Sequence, residues 1–212
     1  MADGQSRAER KEATRQRLLD VTLRLIANRS LDSISLREVA RTAGIVPTAF
    51  YRHFESMDQL GVELVDDCMR SLRQMIRDAR RGVASHGDII EGTIEVLGRQ
   101  VREHPDQFRF LVRERYGGVR QVRRAIDTEL TLFTSELAVD LARLTAGFDW
   151  SSEDLEMTAD LMVAAMLKAI IDLLELDPKP ARRRPDEQAI LNRGAKQLRL
   201  IALGMGEWRS KD

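Results

Sequence analysis

Residues 33–60 read SISLREVARTAGIVPTAFYRHFESMDQL, and the punctuation in this stretch decides the fold. Ser35 followed three residues later by Glu38 is a capping box. The serine oxygen accepts from the Glu38 amide and the carboxylate returns to the serine amide, which opens a helix. Gly44 closes it, because glycine tolerates the positive φ of a helix end. Pro47 suits a first helical turn and opens a second short helix reaching about Phe54. Two short helices joined through a glycine make a helix-turn-helix, in which the first braces the second against the major groove of DNA. Ala40 is small where the two cross, and Val39 and Phe50 supply apolar contact behind them. Ser56 and Gln59 then form a further capping-box pair, opening a long helix to about Arg81.

Helical periodicity continues on both sides. Leu18, Val21 and Leu25, beside Leu19, Leu23 and Ile26, give a broad apolar face to a first helix over about residues 8–29. Leu60, Leu64, Cys68, Leu72 and Ile76 face one way along the long fourth helix. Further helices are predicted over Asp88–Glu103 and Pro105–Tyr116, with Gly117-Gly118 breaking the chain after them. Val119, Val122, Ile126, Leu130, Phe133, Leu137, Leu141 and Leu144 then repeat in three- and four-residue steps as far as Gly147. Ser151 or Ser152 caps an eighth helix to about Leu176. Asp177–Pro185 holds three of the five prolines and reads as an exposed connector to a ninth helix over about Asp186–Met205. Alternating strand patterns are scarce. The fold class is all-α, with a three-helix N-terminal helix-turn-helix domain over residues 1–56, preceded by a basic arm, and a six-helix domain over 57–212.

Bulk composition narrows the function. With 43% apolar residues the chain can bury a full core. Net charge is zero, yet the first sixty residues carry ten Lys/Arg against eight Asp/Glu, and the remainder 24 against 26. The single cysteine, Cys68, cannot form an intramolecular disulfide, which suits a reducing cytoplasm. No signal-peptide core is evident, and the longest apolar run, Leu161–Leu167, is far short of a membrane span. A cytoplasmic protein without a membrane partner is expected. His53, His86 and His104 lack metal-ligand spacing, no glycine-rich phosphate loop appears, and Cys68 sits beside Asp66 and Asp67, unfavourable for a thiolate. No catalytic residue, metal site or cofactor is therefore expected. A purely structural helix pair would need no Tyr-Arg-His edge.

The helix-turn-helix followed by Phe50-Tyr51-Arg52-His53-Phe54 and a capped long helix resembles the TetR family, and the nine-helix layout extends that resemblance over the chain. It implies a homodimeric transcriptional repressor that binds a palindromic operator, with residues 57–212 sensing a hydrophobic small molecule and holding the dimer together. Two positions depart from the family pattern. Val46 stands where a polar cap is usual, and Met57-Asp58 where a phosphate-contacting lysine is common. The stretch HPDQFRFLVRERYGGVRQVRRAI, residues 104–126, is similar to the FabR/DesT branch, regulators of unsaturated fatty-acid synthesis. That similarity implies long-chain acyl-CoA as effector; the alternative is a regulator of efflux or catabolism sensing a different hydrophobic molecule.

Site residues follow from the motif and the resemblance together. Tyr51 and His53, carried over from the family, contact the DNA backbone, as a hydroxyl and a ring N–H can. Phe50 and Phe54 read as core, and Arg52 as partner either of a phosphate or of an intramolecular carboxylate. Base reading falls to Val46, Pro47, Thr48 and Ala49, poor hydrogen-bonders that favour thymine methyls and DNA shape. Ser35, Arg37 and Thr42 would hold the backbone on one side. Arg7, Arg10 and Lys11 would enter the minor groove, lie along phosphates, or form a solvated tail. In the resemblance the effector lies among helices four to eight, with Leu72, Ile76, Val96, Phe108, Leu111, Phe133, Leu137 and Met166 as lining. Arg99, Arg102, Arg109, Arg113 and Arg115 could receive a CoA phosphate or carboxylate, or each could be a surface ion-pair partner. Lys168 either pairs with Asp172 or faces a polar cavity. Leu155, Met162, Met166, Ile170 and Leu173 form one stripe, and Ile190, Leu191, Leu198, Ile201 and Met205 another; two such pairs would make a two-fold four-helix dimer interface.

Overall fold

The computed structural model describes residues 6–80, 86–144, 150–176, 180–208 and 210, with side chains at all of these except 75–80, 86–88 and 180–183. Among the described residues the chain is all-helical, as its periodicity predicts. The helices are α1 (Arg7–Leu25), α2 (Leu36–Thr42), α3 (Pro47–Phe50), α4 (Met57–Arg80), α5 (His86–Glu103), α6 (Pro105–Glu114), α7 (Arg120–Leu144), α8 (Ser152–Leu174) and α9 (Pro180–Glu207), with a 3-10 turn at Leu31–Ser33 between α1 and α2. They gather into two compact units. Unit 1 is Met1–Arg70 with Asp106–Asp127; unit 2 is Ser71–Pro105 with Thr128–Asp212. Both are discontinuous, and α4 and α7 each contribute to both. The division at residue 56 follows chain order, whereas this one places α6 with the helix-turn-helix.

Unit 1 packs Leu18, Val21, Val39, Phe50, Phe54, Leu60, Phe110 and Val122 into a core where each is almost fully buried. Each such side chain contributes roughly 1.5–3 kcal/mol relative to exposure. The first helix opens on a full capping box: the Ser6 amide donates to Glu9 Oε2 at 2.8 Å and the Glu9 amide to Ser6 Oγ at 3.2 Å. Arg7, Arg10 and Lys11 are consequently helical and exposed, rather than an irregular arm. The helix ends at Leu25, short of the predicted 29.

At Ser35 only half of the expected box forms. The Glu38 amide donates to Ser35 Oγ at 3.2 Å, but the Glu38 carboxylate is drawn to Arg29, 2.6 Å away. That guanidinium bond, chiefly, holds the Glu38 carboxyl below its usual pKa. Gly44, at φ 71°, closes α2 in a Schellman motif, with the Ile45 amide bonded to Ala40 O at 3.0 Å and the Gly44 amide to Arg41 O at 3.1 Å. The second helix of the motif is regular only from Pro47 to Phe50 and continues as turns to His53.

Unit 2 centres on α5, α8 and α9, which pack on one another. The α5–α9 crossing uses reciprocal small residues. A Cβ on Gly98 would lie 2.8 Å from Leu191, and one on Gly194 3.2 Å from Ile94, so the two helices run antiparallel and close. Ser151 caps α8 by accepting from the Asp154 amide at 3.1 Å. The Ser151 amide donates to Ser210 Oγ at 2.9 Å, so α8 and α9 are also antiparallel. Lys168 pairs with Asp172 on the same helix. The helix α9 begins at Pro180, not near Asp186, and carries Pro185 within it. A proline loses only one helical hydrogen bond near a helix start, so Pro185 did not mark a boundary.

Candidate nucleic-acid interface

Three elements of unit 1 set the site: the N-terminal turns of α1, the cap of α2, and α3 with the turn after it. The buried Phe50 and Phe54, with ring centroids 5.6 Å apart, anchor α3 from behind, as expected of core residues. Anchored so, α3 turns its other side outward. Val46 is 64% and Tyr51 62% exposed, Pro47, Thr48 and Arg52 are exposed, and Ala49 and His53 are half-buried. Tyr51 packs edge-on to Phe50 at 5.9 Å, which restrains its ring while the residue stays exposed. An exposed valine on a helix that short has no packing role.

Charge gathers at the end of this surface. His53 is held below its ordinary pKa by burial first and then by the charges of Lys11, Arg15 and Arg52, with Glu12 acting in the opposite direction. Its Nδ1 is buried without a hydrogen-bond partner. Sequence reasoning counted Arg15 in the basic stretch Arg7, Arg10, Lys11, Arg15 and Arg17 but gave it no role in the site. It stacks over the Phe54 ring at 4.8 Å and pairs with Glu63 of α4, tying α1 to α4 behind the surface. Its spacing of one turn from Lys11 was the available signal.

On the α2 side, Ser35, Arg37 and Thr42 are all exposed. Ser35 Oγ accepts the cap bond and keeps its own proton for donation. The Thr42 hydroxyl donates to Glu38 O at 2.8 Å, so in this rotamer it offers a ligand only acceptor capacity. The surface as a whole presents hydroxyls and cations at its edges and apolar groups in the middle. Such a face grips phosphates and reads bases weakly.

The other predicted sites fare differently. Phe108, Leu111 and Arg115 belong to unit 1, whereas Leu72, Val96, Phe133, Leu137 and Met166 belong to unit 2; the Ile76 side chain lies outside the described residues. Four of the five arginines considered as CoA receptors have partners in the fold. Arg102 pairs with Glu187, Arg109 with Asp106 at 3.0 Å, Arg115 with Asp127 at 4.0 Å, and Arg113 with backbone carbonyls. In the two dimer stripes, Met162, Ile170, Leu173, Leu191, Leu198 and Met205 are buried within the single chain, while Leu155, Met166, Ile190 and Ile201 are half-buried. Among the described residues the large apolar side chains left exposed on these helices are Met157, Leu161, Leu200 and Leu203, with Trp208 beyond the end of α9. Among the described residues no helix is long and apolar enough to cross a membrane.

Comparison with known proteins agrees with this geometry. Residues 18–64 match the family described as bacterial regulatory proteins, tetR family, and residues 87–196 match the tetracyclin repressor-like C-terminal domain. The fold is similar to that of a transcriptional regulator from Pseudomonas aeruginosa PAO1, at 18% identity and TM-score 0.72, covering 93% of this chain and 95% of that one. It is similar also to a TetR-family transcriptional regulator from Streptomyces coelicolor, at 19% identity and TM-score 0.70, over 90% and 97% of the two chains. The fatty acid degradation regulator FadR from Bacillus halodurans is a third, at 15% identity and TM-score 0.67, over 84% and 94%. The chain belongs to the TetR family of DNA-binding transcriptional regulators, and not to a family of enzymes.

Proposed function

We propose that this regulator represses genes of unsaturated fatty-acid synthesis by binding a palindromic operator as a homodimer, with long-chain acyl-CoA as its effector. The DNA-binding part of the reading is carried by the exposed Val46–Ala49 front, bordered by Ser35, Arg37, Tyr51, Arg52 and His53. Arg7, Arg10 and Lys11, spaced along the first turns of α1, add a flank suited to phosphates. The effector is supported by the likeness of residues 104–126 to the FabR/DesT branch; one fold neighbour is named a fatty acid degradation regulator, which fits a fatty-acyl ligand but not synthesis in particular. An acyl chain among Leu72, Val96, Phe133, Leu137 and Met166 would gain about 0.8 kcal/mol per buried methylene.

The dimer surface is assigned to the outer faces of α8 and α9. Because these helices are antiparallel, Met157 and Leu161 near the start of one lie at the same end as Leu200 and Leu203 near the finish of the other. Half-buried Leu155, Met166, Ile190 and Ile201 would border them. A homodimer would carry two recognition helices, and half-sites one helical turn apart are separated by about 34 Å. Leu161→Glu with Leu203→Glu should yield monomers by light scattering; a persistent dimer removes this surface.

A second reading stays open on one observation. Residues 104–126 fall largely within unit 1, where Arg113 and Arg115 already have partners, so their likeness to one branch need not report the effector. A regulator of efflux or catabolism sensing another hydrophobic molecule fits equally. Operator affinity titrated with saturated and cis-unsaturated acyl-CoA of equal length decides between them. Differing effects support the fatty-acid reading; equal effects, or none, remove it.

A further inference from the structure

The end of α1 is closed only in part by its own segment: the Ala27 amide donates to Arg24 O, the Arg29 amide to Ile26 O, and Arg29 Nε to Leu25 O, each at 3.3 Å. One guanidinium from α6 then gathers the carbonyls of Ile26, Ala27 and Arg29. Arg113 Nη1 donates to Ile26 O at 2.7 Å and to Arg29 O at 2.7 Å, and Nη2 donates to Ala27 O at 3.2 Å. The 3-10 turn that follows is uncapped locally, since the Ser30 hydroxyl turns to Asp32. Its first amide, Leu31 N–H, donates to Glu114 Oε1 at 2.9 Å. Consecutive residues at the end of α6 thus close two helix ends that lie 83 to 87 residues earlier in the chain.

We propose that Arg113 and Glu114 are positioning residues for DNA binding, which complete the α1–α2 connection and thereby fix where α2 begins. The connection runs only from Ile26 to Ser35, and Ser35 is the cap of α2. Holding residues 26–31 leaves the chain four residues in which to reach that cap, so the brace of the recognition helix inherits its place from α6.

The surroundings are built to keep the pair in register. Glu114 is 1% exposed, and its second carboxyl oxygen is buried without a partner. Gly117 backs directly onto that oxygen, and a side chain there would overlap the carboxyl. Arg123 donates to Gly117 O and so pins the same turn from the α7 side. A surface arginine and glutamate picked at random would show none of this enclosure. Three of the five N–H donors of Arg113 are given to backbone carbonyls, which commits most of the guanidinium to this junction.

The inference rests on the DNA-binding reading, and the test separates the two. Wild-type, Arg113→Met, Arg113→Lys, Glu114→Gln and Glu114→Leu full-length proteins are compared by gel shift on duplex DNA from the gene's own promoter region, and by amide exchange. Arg113→Met should weaken binding by about tenfold or more and speed exchange at residues 30–36, leaving unit 2 protected as before. Glu114→Gln, which keeps an acceptor for Leu31 N–H, should stay within about twofold of wild type, while Glu114→Leu should not. Should Arg113→Met fail to fold, Arg113→Lys decides, since an ammonium keeps the charge but cannot span three carbonyls. A partial loss with faster exchange at 30–36 supports the proposal. Wild-type affinity and exchange in the folded variants, or exchange raised uniformly over the chain, overturns it. Absence of DNA binding by the wild type would overturn the DNA reading alone, and the exchange pattern would still judge the caps.

Discussion

Besides their buried core, the helices of unit 1 are held at their ends by the Ser6 and Ser35 caps, the Gly44 turn and the grip of Arg113 and Glu114. In unit 2 the sides of long helices are the more prominent contact, where Gly98 and Gly194 let α5 and α9 close on each other. End-fixing sets direction and register with directional bonds, which a surface that must match a rigid DNA groove requires. Side-fixing relies on apolar contact, which is less directional and can repack around a changed volume.

Breaking each unit by its own means should show the difference. Phe50→Ala empties the centre of unit 1 and should cost about 3–5 kcal/mol, read as a lower urea midpoint for the part of the transition that abolishes DNA binding. In unit 2 the equivalent insult is overfilling. Gly98→Leu drives a side chain into Leu191 and should cost about 1–3 kcal/mol, part of which Leu191→Ala restores. A double-mutant cycle with additive losses would mean that α5 and α9 do not meet there. Ser35→Ala removes an end-fixing bond and should cost about 1 kcal/mol, with operator affinity reduced beyond what the lost stability explains.

The smallest effect is titration of His53. Burial, and then the Lys11, Arg15 and Arg52 charges, hold its folded pKa below the usual 6.5, so below that pH the unfolded chain binds more protons than the native one. Stability of unit 1 therefore falls as pH drops through about 6.5, and His53→Gln should flatten that dependence. If His53 lies on a phosphate as proposed, the imidazolium is favoured in the complex, and DNA affinity should rise over the same range. A parallel fall in affinity and stability would place His53 away from the DNA.

Most of the fold was legible because its signals are local. Ser35, Gly44, Pro47 and Ser151 act on backbone within five residues of themselves, and each holds the role its spacing indicates. The misread details were settled by partners distant in sequence. Glu38 did not close its box because Arg29 reached it first. The apolar stripes on α8 and α9 were read as a surface because periodicity shows that a face is apolar, not which of two apolar faces points inward. Met162 and Leu198 turned in; Leu161 and Leu203 turned out. Arg113 looked like one more surface cation in an arginine-rich stretch, since nothing in a sequence marks a carbonyl as waiting for a donor. The composition of the candidate DNA surface was legible, whereas the clustering of Lys11, Arg15 and Arg52 about His53 emerged only from the fold.

The discontinuity of unit 1 has a consequence for how the protein is made. On the ribosome, α1 to α3 emerge first, but Arg113, Glu114 and the first turns of α7 follow only after the whole of α5 has been synthesised. Until then the α1–α2 junction lacks its closing bonds, so the nascent chain carries the recognition sequence without its finished geometry. A polypeptide cut or stalled before α6 would occupy operators poorly. Synthesis order thereby delays full affinity for DNA until α6 and the first turns of α7 have been translated.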